Sequence, residues 1–355
     1  MNPNPTEEYQ LNEIQTGAND VEWTPPPHPE PIAVPEINPD YPHWGLVSGL
    51  GTWVASAMLL FLFQALFIVP VLIPLQAEGK TPDAETLMSN PTFVLVLILS
   101  AIPAHLATIL LVWAVVTSVN KKPFAKWLGL EWNGWRETVA IIGVAIGLLF
   151  ISGLVAYRVG GGETDIDRMI KSSNAARYAL AFIAAFTAPL AEELVYRGVL
   201  YPAARKLPGG TLSFISIALL IAMPFIWNNK PLTIKVFIAA MICAAFSVLI
   251  RMTSLKENRT VIAVIEVSLI FALIHVPQYI DSLGVIAAIM ILSVGITVVR
   301  AVTGRLLPCI ILHFVFNGIQ AIGIVAQPYI EKPPPTPVPQ QALIMLEAAF
   351  KHFFF

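Results

Sequence analysis

Residues 138–157, TVAIIGVAIGLLFISGLVAY, carry no charged side chain. A helix of about 20 such residues crosses the hydrocarbon core of a bilayer with its backbone N–H and C=O groups paired within itself. Stretches 46–75, 91–118, 178–203, 211–228, 234–250, 262–280, 284–300 and 306–327 are read in the same way. The first is long enough to be tilted or broken and holds Pro70 and Pro74, and WNNKP at 227–231 reads as a tight turn. Only 12% of the 355 residues are charged, against about 25% in an ordinary soluble domain. The expected fold is all-α, a polytopic transmembrane helical bundle of about eight or nine membrane helices, with the lipid bilayer as its first partner.

The two ends have a different composition. Residues 1–45 form a proline-rich acidic tail, with eight Asp or Glu and no Lys or Arg up to residue 43. Such a segment buries too little apolar surface to offset its ordering entropy and is expected to be disordered. It also lacks the basic start and apolar core of a cleavable signal peptide. The bundle is expected over 46–327. Residues 328–355 follow as a proline-rich spacer and a short amphipathic segment, ALIMLEAAFKHFFF, suited to a membrane surface. Across nine helices, Lys and Arg divide eleven to nine in favour of the N-terminal side, a mild bias towards a cytoplasmic N-terminus. The formal net charge of −2 says nothing about partners, and no nucleic acid is expected among them. Cys243 and Cys309 lie in apolar segments and read as small buried hydrophobes, not as a disulfide.

Charges inside a membrane helix are costly, about 2.5–3.5 kcal/mol each on insertion scales, and need a partner or a task. APLAEELVYRGVL, residues 188–200, holds three. Glu193 and Arg197 are four apart, share a helix face and can neutralise each other. Glu192 is turned about 100° away and is left over. Two later stretches supply groups to meet it. FALIH places Phe271 four residues before His275, and HFVFN places His313 four residues before Asn317. Glu192 and His275 fall near mid-depth on antiparallel helices, whereas His313 matches that depth less well. A carboxylate and two imidazoles facing one cavity form an acid–base set, and imidazole and amide N–H groups on one face can donate to a developing oxyanion. These ingredients suit water attack on an amide without a serine or cysteine nucleophile.

EELVYR, FALIH and HFVFN, in this order, resemble the EExxxR, FxxxH and HxxxN motifs of the CAAX-protease and bacteriocin-processing (Abi) family of glutamate-type intramembrane endopeptidases. VTGRLLPCIILHFVFNGI, residues 302–319, is similar to the family beyond the bare motif. The resemblance covers about 178–320. It implies that Glu192 activates the attacking water and that His275 helps to hold it. His313 and Asn317 would form the oxyanion hole, with Glu193 and Arg197 in support; Phe271, apart from the resemblance, reads as packing that helps to shape the pocket. It further implies a membrane protein or peptide substrate, prenylated in some members, and a prokaryotic cytoplasmic membrane, with no cofactor and no metal. The interval between Glu192 and His275 is longer than is usual for the family. An extra helical hairpin within about 211–260 would account for it.

Three other readings stand beside this one. Glu192, His275 and His313 are also a possible ligand set for a zinc-dependent membrane protease, although no HExxH is present. The same groups suit the relay of a proton-coupled transporter, although no inverted repeat is visible. An inactive membrane scaffold would keep the motifs without the chemistry. His105, Gln64, Gln278, Glu266 and Trp227 lie outside the motifs and read as structural or interfacial.

Overall fold

A computed structural model describes residues 37–77, 84–119, 121–206 and 258–331. Every regular element among them is helical. In chain order these are α1 (Leu46–Ala77), α2 (Ala84–Ser89), α3 (Pro91–Leu99), α4 (Ala101–Thr117), α5 (Phe124–Leu128), α6 (Trp135–Val159) and α7 (Asp165–Ser172). α8 spans Asn174–Ala204, followed by α9 (Arg259–His275), α10 (Leu283–Thr303) and α11 (Leu307–Glu331).

Six helices among the described residues are long and apolar enough to cross a membrane: Leu46–Pro74, Pro91–Thr117, Trp135–Val159, Asn174–Ala204, Leu283–Thr303 and Leu307–Ile330. They fall on six of the stretches named from sequence, so the chain is an all-α, polytopic helical bundle. The stretch expected at 262–280 is shorter as an α-helix, 17 residues ending at His275. Pro277 lies in the first positions of the 3₁₀ turn Val276–Tyr279 that follows, where its missing N–H interrupts the α pattern. The expected helices 211–228 and 234–250, with the hairpin they would form, lie outside the described residues, as do 332–355.

α8 runs through the centre of the bundle. Every residue from Glu193 to Ala204 is buried, and Glu192 alone among 191–204 is not. Val195, Val199, Leu200 and Tyr201 belong to one large apolar cluster with Val112 and Val116 of α4, Ile270 of α9 and Ile296 of α10. Between α6 and α10 the backbones themselves meet. Gly162 N–H donates to Asp281 O at 2.7 Å, and Gly284 N–H donates to Gly160 O at 2.9 Å. A Cβ on Gly284 would lie 2.6 Å from Ala156 O, so only glycine permits this approach.

Residues 37–45, assigned from composition to the disordered tail, are packed against the bundle, which corrects that boundary. Trp44 is 4% exposed, and its indole N–H donates to Val199 O at 3.1 Å. Lys206 Nζ donates to Trp44 O at 3.0 Å and also to Pro42 O. His43 and Trp44 contact the Trp127 ring edge-on, with centroids 5.1 and 6.2 Å away. Two aromatic rings at its end give the segment an apolar anchor that its average composition conceals.

Candidate active site

α8 is α-helical except at two π turns, Ile183–Thr187 and Leu194–Leu200, with Ala188–Glu193 between them. Each π turn precedes a proline. Ala188 N–H donates back to Ile183 O, and Pro189 has no N–H, so Ala184 O is left without a helical donor. Tyr201 N–H donates to Tyr196 O, and Pro202 leaves Arg197 O in the same position. An unpaired buried carbonyl costs about 1–3 kcal/mol. Side chains of other helices take both. Asn317 Nδ2 of α11 donates to Ala184 O at 3.0 Å, and Arg300 Nε of α10 donates to Arg197 O at 3.2 Å. Such π turns recur at functional sites. Here they set the rotation of the short segment that carries both glutamates.

Glu193 and Arg197 form a fully buried pair, with Nη1 3.1 Å from Oε1 and both side chains 0% exposed. Arg197 also donates from Nε to Thr297 Oγ1 at 3.1 Å and from Nη2 to Ser293 Oγ at 2.8 Å and Ser293 O at 3.0 Å. Its Cζ lies 4.5 Å from the centroid of the Phe271 ring. The second partner of Glu193 is His313, whose Nδ1 is 2.8 Å from the same Oε1.

Glu192 faces the other way. Its side chain is 24% exposed, with Oε1 3.8 Å from His275 Nε2 and Oε2 3.8 Å from His313 Nε2. His275 Nδ1 is 2.7 Å from Phe271 O. A carbonyl can only accept, so Nδ1 carries the proton and Nε2 of the neutral ring presents a lone pair. Nδ1 of His313 likewise donates to Glu193. His313 therefore stands between two carboxylates, donating from Nδ1 to Glu193 and facing Glu192 across 3.8 Å with Nε2. Phe271 is the wedge of the cluster, with ring centroids 4.7 Å from His275 and 6.1 Å from His313.

Glu192, Phe271, His275, His313 and Asn317 line one cavity of about 900 Å³, while Glu193 and Arg197 lie behind its wall. His105, set aside in the sequence, lines it too. Its Nδ1 is 3.0 Å from Thr187 Oγ1 in the first π turn. A lone histidine in AIPAHLATILL gives no sign of this, because the contact is between helices. Gln64 and Gln278 also line the cavity. Glu266 and Cys309 are buried elsewhere, whereas Trp227 and Cys243 lie outside the described residues. Among those residues, no group of three or more His, Cys, Asp or Glu is arranged to hold a metal ion.

Carboxylate, imidazole and amide groups on one internal cavity of a helical membrane protein define the class of site as an acid–base one. The sequence narrows it further. Residues 174–254 and 246–319 match the family described as type II CAAX prenyl endopeptidase Rce1-like, so the motif resemblance is upheld over that part of the chain. The family implies a protease acting on membrane-associated substrates. Among curated proteins and among solved structures, none matches the chain.

Proposed function

We propose that the protein is an intramembrane endopeptidase in which Glu192 activates the water that attacks the peptide bond. The observation that carries the reading is the convergence of Glu192 with two imidazole Nε2 atoms, each 3.8 Å from a different carboxylate oxygen. That distance is too long for a direct hydrogen bond. One water bonded at about 2.8 Å to both atoms of either pair spans it, with an angle of roughly 85° at the water. With Nδ1–H committed to Phe271 O, His275 Nε2 accepts a hydrogen bond from one water O–H, which stays on the oxygen, while Glu192 takes the other proton as base. Water oxygen bonds to the carbonyl carbon, the C–N bond breaks, and the proton held by Glu192 passes to the departing amine.

Oxyanion stabilisation falls to His313 and Asn317. In its cationic form His313 offers the Nε2 proton, held by the Glu193 carboxylate behind it. Asn317 has committed one amide hydrogen to Ala184 O and retains the other. Glu193 and Arg197 orient this assembly. A membrane-embedded peptide or a prenylated C-terminus is the substrate class the family suggests.

The test compares cells carrying the intact chain with cells carrying Glu192→Gln, by mass spectrometry of membrane peptides. A new peptide terminus present only with the intact chain supports the reading and identifies the substrate. Identical termini in both end it.

A further inference from the structure

Arg300 is 1% exposed on α10, behind the wall that carries the site. Its guanidinium is held on one side by residues that precede α1. Nη1 bonds Asp40 Oδ1 at 2.7 Å and Nη2 donates to Pro39 O at 3.1 Å. On the other side Nε donates to Arg197 O at 3.2 Å, the carbonyl that Pro202 leaves without a helical donor. Asp40 makes a second ion pair, its Oδ2 lying 2.5 Å from Arg205 Nη1 at the end of α8. The Tyr201 ring lies beneath both cations, 5.4 Å from Arg300 Cζ and 5.9 Å from Arg205 Cζ.

A guanidinium is a rigid planar fork, so fixing its two Nη groups also fixes where Nε points. Asp40 and Pro39 thus aim Arg300 at the second π turn of α8. From there the contacts are continuous. The Arg197 side chain holds Glu193 at 3.1 Å, Glu193 holds His313 at 2.8 Å, and His313 faces Glu192 at 3.8 Å.

We propose that Asp40, acting through Arg300, is a positioning residue for the Glu192 site. It holds the Arg197 carbonyl, and with it the turn from which Arg197 and Glu193 orient His313. This rests on the reading of Glu192 as the base. Asp40 lies outside the residues that match the family, so the contribution comes from the part of the chain that carries no site motif. Without the carboxylate, Pro39 O alone holds the Nη side of the fork, and the guanidinium is freer to turn. The freed carbonyl then loses its donor, and the π turn loses its fixed pitch.

The test uses full-length Asp40→Asn and Asp40→Glu in detergent, with hydrogen exchange read peptide by peptide and steady-state cleavage of a farnesylated peptide alongside. In Asp40→Asn, exchange over 198–206 should rise about tenfold while α6 stays at the parent rate. kcat should fall about tenfold with KM within roughly twofold, since misplacement of about 1 Å costs up to a hundredfold. Asp40→Glu keeps the charge and should recover most of both. Exchange over 198–206 that equals the parent, or that rises equally in α6, overturns the proposal, as does Asp40→Asn with parental kcat. The exchange measurement needs no substrate. A parent chain that cleaves nothing therefore counts against the peptidase reading, while exchange still decides the role of Asp40.

Discussion

Glu193→Gln removes one charge from a pair that has no access to solvent. Breaking a buried ion pair from one side commonly costs about 3–5 kcal/mol. Arg197 keeps its bonds to Thr297 and Ser293 and its place over the Phe271 ring, and the amide oxygen still accepts one of the two former donors. The lower end of the range applies, about 3 kcal/mol, or roughly a hundredfold in the folding equilibrium. For domains of 150–250 residues each kcal/mol shifts Tm by about 2–4 °C, so a fall of about 6–12 °C is expected. Glu192→Gln is the control. That side chain is 24% exposed and lies 3.8 Å from its two imidazole neighbours, so Tm should move by less than about 2 °C, while cleavage falls by the roughly 10²–10⁴-fold typical of losing a general base. The assay is thermal unfolding in detergent beside peptide-bond cleavage. A Glu193→Gln chain that melts with the parent, together with a Glu192→Gln chain that melts early, would show that the two glutamates have exchanged roles.

Pro189→Ala restores an N–H to the first π turn and gives Ala184 O a helical donor in competition with Asn317. Cleavage should fall about tenfold with Tm unchanged or raised, measured in the same two assays. Gly284→Ala puts a Cβ 2.6 Å from Ala156 O and 2.9 Å from Gly160 O, and should cost about 1–3 kcal/mol as overpacking, read as an early melt. Exhaustive treatment with a strong chelator should leave cleavage at the parent rate, and loss restored by added zinc would establish the metal reading.

The Glu193–Arg197 pair was legible in the sequence because a helix fixes which residues face one another at four-residue spacing. The membrane stretches were legible because their apolar length has few other uses. The contact of His313 with Glu193 was not, since it depends on how α8 and α11 cross, and periodicity within one helix carries no information about another. The π turns were partly signalled. Pro189 and Pro202 are visible, but whether a helix answers a missing N–H with a break or with a wider turn depends on donors such as Asn317 and Arg300 waiting on neighbouring helices. Residues 37–45 were misread for a related reason. A window average over an acidic, proline-rich stretch hides Trp44, whose indole has a carbonyl to meet on α8.

The glycine contacts between α6 and α10 bear on which part of the cavity wall can open. Two backbone hydrogen bonds with no side chain between them make a joint without slack, and the two helices they fasten form one jamb of the cavity. Another part of the cavity wall, at Ile98 and Ile183, is built differently. There Phe93, Val94 and Ile98 lie against Ala176 and Ile183, with Ile68, Val71 and Leu72 of α1 around them, and apolar side chains slide over one another far more readily than a glycine joint parts. On the peptidase reading proposed above, a substrate is expected to enter beside α1 and α3, where the packing parts more readily than at the glycine joint.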